Sequence, residues 1–160
     1  APTADVITVE LHDAANYANV LRTYPGIHLS QSGTASVPDI DLPDGSYRIT
    51  IRHRNSIETT SMSAVDFSGA TVSYSFGTQA SAFGSNLKLI DGFYCIFGGD
   101  VNQDGQVEGL DVSDIENGVN AFSTGYLAID VDGDGSLGIS DYSIWENNNN
   151  TFVKRIIPVP

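Results

Sequence analysis

Two twelve-residue segments spaced thirty residues apart constrain this chain more than anything else in its sequence. Asp100-Val101-Asn102-Gln103-Asp104-Gly105-Gln106-Val107-Glu108-Gly109-Leu110-Asp111 places side-chain oxygens at positions 1, 3, 5 and 12, with glycine at 6. Asp130-Val131-Asp132-Gly133-Asp134-Gly135-Ser136-Leu137-Gly138-Ile139-Ser140-Asp141 repeats the pattern. A hard cation such as Ca2+ takes six to eight oxygens at about 2.3–2.6 Å, and so short a loop wraps one ion only by turning sharply at the glycine. The spacing therefore predicts two Ca2+ sites. One is formed by Asp100, Asn102, Asp104, Asp111 and the main-chain carbonyl of Gln106, the other by Asp130, Asp132, Asp134, Asp141 and the carbonyl of Ser136. Glu108 at position 9 is placed to act through water, whereas Gly138 has no side chain to offer.

The residues around these loops predict a paired unit. Val107 and Leu137, both at position 8, are expected to join the loops through a short β contact. Each loop should lead into a short helix, with Val112, Ile115 and Val119 on the inner face of the first and Tyr142 and Trp145 on that of the second. Gly118 and the run Asn147 to Asn150 weaken both helices, so packing and bound metal are expected to stabilise them.

Charge follows the same division. The chain has a net charge of −13, and residues 100–160 hold eleven acidic residues against two basic ones, while residues 1–99 hold nine against five. This balance excludes a nucleic-acid backbone or an anionic lipid surface as the main partner. No apolar run is long enough to span a bilayer. Cys95 is the single cysteine, so no disulfide forms within the chain. The start at Ala1, without a charged and apolar leader, fits a mature chain after signal removal.

Residues 1–98 read as an antiparallel β-sandwich, because short alternating segments recur between Gly, Pro, Asn and Asp clusters. Ile7 to Leu11 alternates, and Tyr47 to Arg54 does so with Tyr47, Ile49 and Ile51 inward. Val72, Tyr74 and Phe76 repeat the pattern, and Phe93 to Phe97 reads as a more fully buried strand. Pro25-Gly26, Pro43-Asp44-Gly45 and Asp91-Gly92 supply turn chemistry. The expected division is 1–98 as a β-sandwich, 99–150 as a small α domain with paired EF-hand-like loops, and 151–160 as a strand-like tail. The fold class is thus mainly β.

The two Asp-ended loops, each followed by a helix, resemble a type I dockerin repeat pair over about residues 99–150. Dockerins that dock onto cohesins tend to carry small hydroxyl or similar polar residues just before the last loop ligand. Gly109-Leu110 and Ile139-Ser140 occupy those positions here, so the resemblance implies calcium binding more strongly than a cohesin partner. The stretch Gly45 to Thr59, with Val72 to Phe76 and Gly99 to Gly105, is similar to the β-sandwich plus dockerin-like unit that ends many large bacterial surface proteins. That resemblance implies a secreted or cell-surface module. Those relatives usually carry a further apolar strand ahead of the one matching Ile7 to Leu11, and the β-branched tail Thr151 to Pro160 has two readings: it folds back along its own domain, or it is a donor strand between copies, building a homo-oligomer or filament.

Enzyme chemistry finds little support. His12, His28 and His53 are scattered without metal spacing, no GxSxG elbow is present, and Cys95 lies in an apolar strand. Arg48, Arg52 and Arg54 form a basic stripe with Thr50 on the outer face of a strand, read as a solvated or ion-paired face or as a patch for the acidic loops. The sequence thus favours a non-enzymatic calcium-binding structural or adhesive module. The alternatives are a dockerin-like adaptor for a cohesin-like receptor and a carbohydrate-binding module using Tyr17, Tyr24, Phe83 and Tyr126 from apparent loops.

Overall fold

The computed structural model describes residues 3–159, and the chain divides into two compact units. The first takes in the chain up to His53, Glu58–Cys95 and the chain from Ile156 onward; the second takes in Arg54–Ile57 and Ile96–Arg155.

An antiparallel sheet dominates the first unit. Its order is β2 (Val20–Ser30), β1 (Thr3–Asp13), β3 (Ser46–His53) and β4 (Ser56–Thr60), with the two-residue β5 (Val65–Asp66) also on β3. β6 (Lys88–Ile90) and β7 (Phe93–Cys95) form a separate hairpin. Its turn residues Asp91 and Gly92 both have positive φ, as a type I′ turn requires. The architecture is mainly β and antiparallel, with one five-stranded sheet and one two-stranded hairpin among the described residues rather than two sheets of comparable width.

The alternation in β1 does what period two demands: Ile7, Val9 and Leu11 are buried together. Its other face is covered too. His12 is buried beneath the Tyr17 ring, which stacks on it at 4.2 Å. The Tyr17 hydroxyl meets Thr50 Oγ1 at 3.0 Å and Thr60 Oγ1 at 2.9 Å, and the two threonines meet each other at 2.9 Å. Burial pushes the Tyr17 phenol above its ordinary value, more than the threonine hydroxyls lower it.

This packing bears out ion pairing in the basic stripe at Arg52 and corrects the outward placement of Thr50. Thr50 is fully buried, and Arg52 pairs with Glu10 at 2.8 Å and with buried Glu58. Arg48 donates to the carbonyls of Ser61 and Met62 and lies over the Phe83 ring. Polar residues alternate with apolar ones along β3, yet both faces are covered, so polarity here marks a hydrogen-bonded interior.

Three local expectations also change. Pro25-Gly26 is no chain reversal: it lies within edge strand β2, where the register shifts between Ile7 and Val9 and Gly26 has φ 73°. An edge strand tolerates the proline, and the bulge uses the glycine. Thr71 to Phe76 forms no strand, although Val72, Tyr74 and Phe76 are half-buried and the residues between them exposed. Tyr74 bonds through its hydroxyl to the Ser81 carbonyl, and the segment's backbone has no ladder. Phe93 is 75% exposed, so Phe93 to Phe97 is not the buried strand expected.

The second unit holds α1 (Gly109–Asn120) and α2 (Ile139–Asn149). Ile57, Val101, Val107, Ile115, Trp145 and Val153 form its core, with Val112, Ile129 and Tyr142 packed against it. The predicted helix faces hold except at Val119, which is exposed. The inward position is Gly118, where a Cβ would come within 2.3 Å of Ile129 Cδ1 and 2.6 Å of Leu137 Cδ1. The glycine that weakens the helix is thus what admits close packing.

Among the described residues the tail forms no strand; Val153 joins the core of its own chain, and Lys154 makes a single bridge to Gln106.

Candidate metal centre

The two loops share one backbone scaffold. In the first, Asp111 Oδ1 accepts the N–H of Val101 at 2.9 Å and of Asn102 at 3.2 Å, and Oδ2 accepts that of Glu108 at 2.8 Å. In the second, Asp141 Oδ1 accepts from Val131 at 2.6 Å and Asp132 at 3.1 Å, and Oδ2 from Gly138 at 2.9 Å. Both aspartates lie in the first turn of a helix, where a carboxylate satisfies free backbone donors and meets the positive end of the helix dipole. The short Asp side chain at position 12 therefore ties each helix start back to its loop's opening residues.

The remaining ligand positions match as well. Gly105 N–H reaches Asp100 Oδ2 at 3.1 Å, and Gly135 N–H reaches Asp130 Oδ2 at 3.1 Å. Positions 3 and 5 accept from positions 5 and 7: Asp104 N to Asn102 and Gln106 N to Asp104, then Asp134 N to Asp132 and Ser136 N to Asp134. Gly105 and Gly135 have φ 91° and 84°, giving the sharp turn expected at position 6. Position 4 is left-handed too, with Gln103 at φ 60° and Gly133 at 76°, a requirement that ligand spacing alone did not reveal.

These residues fit a hard cation. Asp130, Asp132 and Asp134 each present an oxygen within 4.8 Å of the others. Two oxygens at about 2.4 Å from one ion can be no farther apart than roughly that distance. In the first loop the fit rests on an orphaned atom. Asp100 is 2% exposed, and its Oδ1 is buried with no hydrogen-bond partner. The equivalent Asp130 Oδ1 accepts the Gly133 N–H at 2.9 Å. Burial first, then repulsion from Asp111, pushes the Asp100 carboxyl from 3.8 up to about 6. Burial also raises Asp111, against three backbone donors. A buried acid with a bare oxygen beside other acids is the signature of a site that a cation completes.

The expected β contact between the loops is absent among the described residues. The loop bridges run instead from Gln106 to Lys154 and from Ser136 to Thr124. Around them, Arg155 N–H donates to Gly105 O at 2.7 Å and Gly125 N–H to Gly135 O at 2.9 Å. After each helix the chain turns back through a left-handed phenylalanine, Phe122 at φ 51° or Phe152 at 55°, and the segment beyond it closes the loop of the other repeat. The repeat thus continues past α2 to residue 155, and the tail occupies the place expected for the partner loop.

Residues 98–148 match the family model of the Dockerin type I domain. This supports a dockerin-like calcium-binding unit in that part of the chain. No curated protein and no solved structure matches the chain. The dockerin-like stretch ends before the return segment Val153–Arg155 and excludes Arg54–Ile57, although both belong to the same compact unit.

Of the other residues singled out from sequence, Arg54 reaches the second loop, donating to the Asp130 carbonyl at 2.6 Å, whereas the three histidines bond elsewhere. His12 Nδ1 bonds to the Tyr17 carbonyl at 2.7 Å, His28 to Thr3 at 3.1 Å and His53 to Asp5 at 2.8 Å. Of the proposed sugar-binding aromatics, Tyr17 is buried and Tyr24 lies in β2. No helix among the described residues is long and apolar enough to cross a membrane.

Proposed function

We propose that the chain is a non-enzymatic module of an extracellular bacterial protein, whose dockerin-like unit binds two Ca2+ ions and, once ordered by them, docks onto a cohesin-like protein receptor. The partnerless Asp100 Oδ1, in a scaffold that the second loop repeats, carries the calcium reading. The family match to residues 98–148 supports the docking reading. In this reading Asp100, Asn102, Asp104, Asp111 and the Gln106 carbonyl hold one ion. Asp130, Asp132, Asp134, Asp141 and the Ser136 carbonyl hold the other. Each ion supplies positive charge among carboxylates that otherwise repel, and at about a hundred times Kd it stabilises the fold by about 2.7 kcal/mol.

Calorimetric titration of chelator-stripped protein tests it. Two calcium ions per chain are expected; no binding heat and no thermal shift would reject the metal sites. Calcium-dependent retention on an immobilised cohesin would support the receptor, and equal retention with chelator would count against it.

Self-assembly is the second reading. It is favoured by edge strand β2, which pairs only with β1 among the described residues and leaves backbone donors and acceptors for strand addition. The expected product is a concentration-dependent oligomer in light scattering. A strict monomer at high concentration would exclude it.

A further inference from the structure

Arg54, Asn55 and Ser56 lie far from the loops in sequence, yet Arg54 and Asn55 reach the opening residue of the second and Ser56 meets the Gln103 side chain of the first. Asn55 is 1% exposed and its Nδ2 donates at 2.8 Å to the main-chain carbonyl of Asp130, 75 residues away. Arg54 Nη1 donates to the same carbonyl at 2.6 Å and to that of Leu127, and its guanidinium lies 4.5 Å from the centre of the Tyr126 ring. At the first loop the arrangement is different. Gln103 Nε2 donates to Asp100 O at 2.6 Å and to Ser56 O at 3.3 Å, while Gly99 N–H donates to Asn55 O at 2.7 Å. The first loop thus secures its opening carbonyl with its own side chain, and the second, with Gly133 at the equivalent position, receives two donors from Arg54 and Asn55.

Resting on the calcium reading, we infer that Arg54 and Asn55 are positioning residues of the second calcium loop. They hold the backbone of Asp130 so that its carboxylate stands ready before the ion arrives. Second-sphere groups that orient a ligand alter metal affinity without touching the metal. Asp130 is 2% exposed, so removing its donors leaves a buried carbonyl short of partners and frees the loop's first ligand to shift. The Arg54 charge acts in the opposite direction, since a cation near four carboxylates disfavours a second cation. Asn55 carries no charge and therefore isolates the positioning effect. Because Asn55 bonds the first loop through its backbone, a side-chain change there leaves that bond in place.

The test uses the full chain and Ca2+ alone as the titrant. Asp104→Asn disables the first loop and Asp134→Asn the second, so each site is read separately by calorimetry. Asn55→Ala is expected to weaken the second site by about tenfold and leave the first within about twofold. Arg54→Lys, which keeps the charge but loses the fork, should weaken the same site, and it replaces Asn55→Ala if that variant does not fold. Equal losses at both sites, or none at the second, would overturn the inference. Absence of calcium binding by the unsubstituted chain would instead overturn the calcium reading beneath it.

Discussion

Asp100→Asn should stabilise the calcium-free protein and lose most or all of that advantage over the parent when calcium is abundant. The carboxyl stands at about 6 in the fold against 3.8 for the free side chain, chiefly from burial and then from Asp111. Between those values the folded chain holds a proton that the unfolded chain has released, so stability falls as pH rises through that window. The gap corresponds to about 3 kcal/mol at neutral pH. Asparagine removes the charge and can still accept the Gly105 N–H, which now lies 3.1 Å from Oδ2. Its amide donors would face the acids that repel the carboxylate. An amide still loses water on burial, so the expected gain without calcium is about 1–3 kcal/mol. With calcium at about a hundred times Kd, the variant forgoes the roughly 2.7 kcal/mol that the ion supplies at this site. Urea denaturation with chelator and with calcium measures both effects. Lower stability in chelator, or an unchanged pH slope between about pH 4 and 6, would refute the argument that a bare buried carboxylate strains this loop.

Three further outcomes follow from the packing. Trp145 is 7% exposed and its Nε1 donates at 2.8 Å to the carbonyl of Glu108, position 9 of the first loop, so chelation should shift its fluorescence to the red. A spectrum indifferent to calcium would contradict that link. Val153→Ala should cost about 1–3 kcal/mol in chemical denaturation and weaken the first loop's calcium affinity in titration, because the residue fills the core beside the segment that closes that loop. Tyr17→Phe should cost only about 0.5–1.5 kcal/mol in the same denaturation assay, since Thr50 and Thr60 retain their mutual hydrogen bond.

The loops were legible because coordination chemistry dictates residue type at fixed intervals: Asp100, Asp104 and Asp111 are spaced for one ion whatever surrounds them. β1 was legible because burial of Ile7, Val9 and Leu11 follows strict alternation. What escaped was pairing at a distance. Thr71 to Phe76 has the side-chain pattern of a strand without a ladder, and periodicity reports only which face is covered. Arg52 and Thr50 looked like surface residues because their partners, Glu58, Tyr17 and Thr60, come from separate segments. Val107 and Leu137 share a loop position that suggests mutual pairing, although the backbone of Val107 bonds to Val153. Local patterns can identify a residue that needs a partner without identifying the partner.

The crossed return segments make the internal repeat more than a tandem copy. A polypeptide of one repeat alone would have its loop and helix, but it would lack the return segment that closes the loop, which comes from the other copy. Two such polypeptides related by a twofold axis would supply each other's missing segment, the geometry of a swapped dimer. The present chain has the form of that dimer joined into one polypeptide, with each half responsible for finishing the other's binding loop.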